Sequence, residues 1–186
     1  PDGTQTNYQM KLIINRGAGT DSAGTIYLNN NSLNWPYDIK FTNADGVVLD
    51  YWRESYDTAQ QIVWIEVDKI FTVGETIHVN YGKADETDKS NGDNTFPFFD
   101  HFEGSSLNTS KWNTYGLNSV SNSEVTVDGN TYTYDNSRIW AKTGFGYNYA
   151  IRVKWKRTLW KWWSALGIGF NGNWGISREV TQYANV

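Results

Sequence analysis

Cysteine is absent from the 186 residues, which excludes a disulfide framework, thiolate zinc sites and a cysteine nucleophile. Histidine occurs only at positions 78 and 101, too sparsely to support a histidine-based triad. No run of about 18 apolar residues exists, so no segment reads as a membrane span. Nor is there a signal-peptide pattern, and Pro1-Asp2-Gly3 reads as a mature or recombinant start. The net charge of −4 gives the whole chain no basic excess with which to hold nucleic acid. A phosphate-binding loop is also missing: the Gly-rich stretch RGAGTDSAG lacks the Gly-Lys-Ser/Thr entry to a helix, and reads as a flexible β-connection.

What is present favours strands. The chain carries 10 Trp, 12 Tyr, 8 Phe and 17 Gly but 1 Met, and helical periodicity is missing over any long stretch. Short alternating segments separated by Gly, Asn and Asp recur instead. Tyr8, Met10, Leu12 and Ile14 alternate with Gln9, Lys11 and Ile13; TIYL, DIKF, VVLDYWRESY and TIHVNYG follow, the last with Ile77, Val79 and Tyr81 on one side. QIVWIEV is nearly continuous in apolar residues, as in a strand covered on both faces. Beyond the polar stretch Lys83 to Asn94, further strands are expected at SEVTV, YTYD, RIWAK, YAIRVKW and ALGIGF, with a hairpin turn at Asp128-Gly129. The fold class implied is all-β: an antiparallel β-sandwich of jelly-roll or concanavalin-like type, in one or two packed units divided as 1–97 and 98–186.

The segments WPYDIKFTNADGVVLDYWRESY, IVWIEV, IHVNYGK and SNGDNTFPFFDHFEG, in that order, closely resemble the domain-of-unknown-function family 2341 over roughly residues 4 to 105. The resemblance implies an extracellular or cell-surface setting within a large secreted or anchored protein, and no assigned activity. The continuation, D-x-F-x-G-x-x-L-x-x-x-x-W from Asp100 to Trp112, looks like the opening of a concanavalin-A-like or laminin-G-like sandwich. Such sandwiches usually run longer than the stretch after Pro97, which implies a fragment of a larger protein or a domain completed by strands of another chain.

Candidate chemistry is sparse. Glycosidases on that sandwich carry an E-x-D-x-E run, which is absent; Asp100 and Glu103 in DHFEG are the nearest carboxylate pair, and their plainer reading is turn hydrogen bonding or metal ligation at the mouth of the domain. Asp85, Asp88, Asn91 and Asp93 offer the hard oxygen donors that Ca²⁺ takes, out of step with an EF-hand, and a solvated acidic loop is the plain alternative.

The most conspicuous stretch is KWKRTLWKWW, Lys154 to Trp163, within a segment where five of the 16 Lys and Arg lie between Arg152 and Lys161. Upstream, Tyr149, Ile151, Val153 and Trp155 alternate as the buried side of a strand, with the cations facing water. Trp155, Leu159 and Trp162 also fit one face of an amphipathic helix, though the flanking strands agree less well with it. Indoles left out of the core would stack on pyranose rings, whose C–H faces are apolar; the alternative is that all four pack inward. The reading reached is a non-catalytic extracellular carbohydrate-binding module for a polysaccharide or glycan. Trp160, Trp162 and Trp163 form the platform, Arg157 and Lys161 are polar neighbours, and Trp174 is a further candidate. The alternatives are an adhesin or filament subunit that self-associates through an open sheet edge, and a fragment of a glycoside hydrolase.

Overall fold

The computed structural model describes residues 7–67, 76–128, 137–145 and 150–154. The chain divides into two compact units, Pro1–Asp100 and His101–Val186. Among the described residues the regular structure of both is strand, apart from the short helix α1, Gly92–Thr95.

The first unit is a sandwich of two sheets. Its larger sheet has the order β2-β1-β6-β5. Strand β1 (Tyr8–Asn15) runs antiparallel to β6 (Gln60–Val67) along its full length, from Tyr8 opposite Val67 to Asn15 opposite Gln60. Strand β5 (Tyr51–Tyr56) pairs antiparallel with the other side of β6, and β2 (Thr25–Tyr27) pairs parallel with β1. The smaller sheet has β3 (Lys40–Thr42) between β4 (Val48–Leu49) and β7 (His78–Asn80). Leu12, Ile14, Tyr51, Val63, Ile65 and Val67 of the larger sheet share one core with Phe41 and Leu49 of the smaller one and with Leu28 and Ile39. Each such fully buried side chain contributes about 1.5–3 kcal/mol. Ile77 and Val79 reach this core as their alternation implied, whereas Tyr81 lies past the end of β7 and is exposed.

Strand β6 alternates strictly, with Gln61, Val63, Ile65 and Val67 buried and Gln60, Ile62, Trp64 and Glu66 half-buried. Its second face is covered by aromatic rings. Trp52 stands opposite Trp64, and Phe96 and Phe99 pack on the pair at ring-centroid distances of 4.7–6.1 Å. Edge-on and stacked contacts of this kind add to the area buried. The connection RGAGTDSAG is pinned rather than loose. Asp21 accepts from the Tyr27 amide (2.8 Å), Ser22 and Thr25 exchange backbone hydrogen bonds, and a Cβ on Gly19 would fall 2.3 Å from the Tyr27 ring.

The outer edge of β5 is also closed. Ser90 Oγ accepts from the Arg53 amide (2.8 Å), and the Asn91 amide donates to the Tyr51 carbonyl (2.8 Å). These bonds use the backbone groups that an added strand would need.

Two buried polar side chains behave oppositely. Asp38, 2% exposed, accepts from the Ser32 hydroxyl at 2.6 Å and from the Leu33 and Gly82 amides at 2.7 and 3.0 Å. Burial pushes its carboxyl up, but the hydrogen bonds from Ser32, Leu33 and Gly82 outweigh burial and hold it below the usual carboxylate range. Gln61, on the inner face of β6, finds no hydrogen-bond partner for either side-chain polar atom.

A depressed carboxyl stabilises the fold above its unfolded pKa of about 3.9, and that stability is lost as pH falls through the lower folded value. Asp38→Asn should therefore cost about 1–3 kcal/mol near neutrality, because the neutral amide loses the charge-assisted hydrogen bonds from Ser32, Leu33 and Gly82. The difference from the parent should shrink in acid, as read by urea unfolding across a pH series. Gln61→Leu, which removes the unpaired polar atoms at similar volume, should raise the urea midpoint by about 1–3 kcal/mol of stability.

Candidate functional face on the second unit

Strand β8 (Trp112–Tyr115) pairs antiparallel with β11 (Arg138–Ala141), with Tyr115 opposite Arg138 and Asn113 opposite Trp140. Directly opposed residues share a face, so the ribbon has two distinct sides. Thr114 lies on the first side with Trp112, Ile139 and Ala141; the last three are half-buried, and the Trp112 ring sits 5.6 Å from that of Phe102. Asn113, Tyr115, Arg138 and Trp140 make the other side, where Tyr115 is 47% and Trp140 44% exposed.

On that exposed side the Arg138 guanidinium carbon lies 5.4 Å from the Tyr115 ring centroid and 5.3 Å from that of Trp140. Attraction between the cation and the two ring faces, about 0.5–1 kcal/mol per contact at an exposed site, aligns the three side chains. No carboxylate among the described residues pairs with Arg138. The result is a row of ring, cation and ring beside an Asn amide.

The strand ends hold this register. Gly116, at φ +75°, leaves β8 so close to Ser137 that a Cβ would lie 2.4 Å from its Oγ. The next amide, Leu117, donates to that oxygen at 2.8 Å. At the far end the Lys142 amide donates to the Lys111 carbonyl (2.8 Å), and Asn108 Oδ1 accepts from the Ser110 amide (3.0 Å) and hydroxyl (2.7 Å). Next along the chain, β9 (Leu117–Ser121) and β10 (Glu124–Asp128) form a hairpin whose turn residues Asn122 and Ser123 both have positive φ, 52° and 58°. That is the backbone of a two-residue primed turn.

The basic tryptophan cluster lies elsewhere. Trp160, Trp162, Trp163, Arg157, Lys161 and Trp174 fall outside the described residues, as do YTYD and ALGIGF. Just upstream, Ile151 and Val153 are 53% and 48% exposed, and residues 150–154 form no strand. The alternation of YAIRVKW therefore does not mark a buried face there. Among the described residues it has no paired neighbour to bury its apolar side.

The four Ca²⁺ candidates are engaged with the protein itself. Asp88 pairs with Arg53 and accepts from the Ser90 amide at 2.9 Å. Asp85 lies 3.6 Å from Lys83, Asn91 caps α1 by accepting from the Asn94 amide, and Asp93 stands in the first helical turn. Glu86, buried, pairs with Lys40 and lies 3.5 Å from Lys83. The Lys40 hydrogen bond is the main reason its carboxyl sits below the usual range, with burial opposing. The acidity of this loop is thus met by Arg53, Lys40 and Lys83. Among the described residues no three His, Asp or Glu side chains are grouped to hold a metal ion.

Arg53 itself is buried on the inner side of β5. Its guanidinium lies over the rings of Tyr37 (5.1 Å) and Tyr56 (5.2 Å) and donates to the Pro36 carbonyl at 3.2 Å. A bulge between Arg53 and Ser55 sets the Tyr56 register opposite Gln61, beside Arg53. This cluster is a closed clamp on the acidic loop. Of the DHFEG carboxylates, Glu103 pairs with His101 at 2.6 Å, and both are exposed.

The fold defines the protein as an all-β chain of antiparallel sheets, and no helix among the described residues is long and apolar enough to cross a membrane. Residues 35–115 match the family model described as Domain of unknown function (DUF2341), the same family that the WPYDIKF and FPFFDHFEG motifs resemble. The match starts later than the resemblance read from the motifs and ends at Tyr115, on the exposed face described above. No curated protein and no solved structure matches the chain.

Arg138, Trp140 and Asn113 were not singled out by the sequence. The signal was present in RIWAK, where Arg138 and Trp140 are two apart on a short strand, but their partner Tyr115 is over twenty residues away. Gly116→Ala should break the approach to Ser137 and shift the β8/β11 register. The expected outcome is early hydrogen exchange at residues 112–115 and 138–141 with protection of β1 and β6 unchanged, as followed by mass spectrometry.

Proposed function

We propose that the chain is a non-catalytic, extracellular carbohydrate-binding module whose sugar site is the exposed β8/β11 face. The observation that carries this reading is the Tyr115–Arg138–Trp140 group, two exposed aromatic rings each in contact with one guanidinium. A pyranose presents apolar C–H groups on its faces and hydroxyls around its rim. Rings at the spacing set by paired strands offer the faces a flat apolar surface, while Asn113 and Arg138 supply donors for the rim. Because both strands are tied at their ends, the surface is preformed, and little ordering entropy opposes binding.

The same chemistry is available to Trp160, Trp162 and Trp163 with Arg157 and Lys161, which would extend or replace this site. Covering the β5 edge by Ser90 and Asn91 disfavours self-association by strand addition at that edge.

On a polysaccharide panel the protein should retain at least one glycan, and Trp140→Ala and Tyr115→Ala should each weaken that binding by about tenfold, equal to about 1.4 kcal/mol. Isothermal titration with an unchanged urea midpoint measures the effect. Full affinity in both variants, with loss in Trp160→Ala, Trp162→Ala or Trp163→Ala, would move the site to the basic cluster.

A further inference from the structure

We infer that the sugar bound on the β8/β11 face is anionic, a residue bearing a carboxylate or sulfate ester, and that Arg138 is the residue that selects it. The inference rests on the carbohydrate-binding reading and adds the charge of the ligand to it.

The first observation is the state of Arg138. A guanidinium carries five N–H donors in one plane and matches a carboxylate or sulfate through two parallel hydrogen bonds. Buried Arg53 shows what this chain does with such a group when it is structural. That guanidinium pairs with Asp88, donates to the Pro36 carbonyl and is shielded by two rings. Arg138 has the two rings and, among the described residues, no acid paired with it. Its position is fixed by aromatic contacts that leave its donor capacity unused, on an exposed surface where a bound acid would complete the pair.

The second observation is independent of side-chain geometry. Residues 101–186 hold nine Lys and Arg against five Asp and Glu, a net of +4, whereas residues 1–100 hold seven against fifteen, a net of −8. The overall −4 conceals a cationic unit joined to an acidic one. A cationic unit attracts a polyanion, and the acidic unit keeps the whole chain from being a general polyanion binder. A neutral polysaccharide would gain nothing from this separation.

The rings set the second half of the specificity. An anionic polymer without an apolar face, held by charge alone, has no use for Tyr115 and Trp140. A uronate or sulfated hexose has both a C–H face and an acid, and so engages the whole row.

The test compares matched polymers that differ only in charge: polygalacturonate with its fully methyl-esterified form, and dextran sulfate with dextran. A single-stranded DNA oligonucleotide is the non-sugar polyanion. Binding is read by isothermal titration at low and physiological salt for the parent protein, Arg138→Gln, Arg138→Lys and Trp140→Ala. The expected result is tighter binding of at least one charged polymer than of its neutral match. Arg138→Gln should lose about tenfold or more of that affinity and a smaller factor for any neutral polymer, because Gln keeps a donor for the hydroxyl rim but not the charge. Arg138→Lys, which keeps the charge without the planar fork, should recover part of the loss. Trp140→Ala should weaken charged and neutral binding alike. The preferred pair of polymers tells carboxylate from sulfate.

Equal affinity for charged and neutral members of each pair, unaffected by Arg138→Gln, would overturn the inference and leave the carbohydrate-binding function standing. DNA binding as tight as that of the charged glycan, insensitive to Trp140→Ala, would also overturn it, showing attraction by charge alone. No binding to any polysaccharide would overturn both.

Discussion

Strand β6 has to be covered on both faces, and most of the first unit follows from that requirement. One face carries Gln61, Val63, Ile65 and Val67 into the sandwich core, against Phe41 and Leu49 of the smaller sheet. The other would leave Ile62 and Trp64 in water were it not for Phe96 and Phe99. Those rings can reach it only because the chain after β7 returns along the β5 edge, through Ser90, Asn91 and the short helix α1. Asp88 with Arg53, and Glu86 with Lys40 and Lys83, fasten that return path. The acidic loop is therefore part of the fastening of the larger sheet, and its carboxylates balance cations of the same unit.

The second unit treats its aromatic residues differently. Trp112 turns toward Phe102 on one side of the β8/β11 ribbon, while Tyr115 and Trp140 stand exposed on the other. Two arginines, Arg53 and Arg138, each lie over two rings, one paired with a carboxylate and the other on an exposed face. The contrast separates a closed use of the motif from one left on an exposed face. It also shows why aromatic richness alone points nowhere in particular: the same ring types form a core, a lid over a sheet and an exposed row.

Strand existence was largely legible because alternation reports burial wherever one face of a sheet is covered. Met10, Leu12 and Ile14, and Ile77 with Val79, point inward as their spacing implied. The family resemblance was legible for the same stretch, since its motifs are the residues of the clamp and the aromatic cover: Trp35, Tyr37, Arg53, Tyr56, Phe96 and Phe99. Alternation did not mark a buried face at Ile151 and Val153, which are exposed and have no paired strand among the described residues. It also could not anticipate the β5 bulge, which sets Tyr56 opposite Gln61 beside Arg53 by adding one unpaired residue. The β8/β11 face was not legible in the sequence because Tyr115 and Arg138 meet only through strand pairing.

Composition and periodicity by themselves determined the all-β class, the exclusion of thiol chemistry and the position of most strands in the first half, because each depends only on local patterning. The opposing charges of the two units are likewise written in the sequence. Tertiary structure alone decided which acids are neutralised internally, which sheet edge is closed and which rings share a face with a cation, because strand pairing joins residues far apart in the chain. Tyr115 and Arg138 become neighbours only when Gly116 passes close to Ser137 and sets the register between β8 and β11.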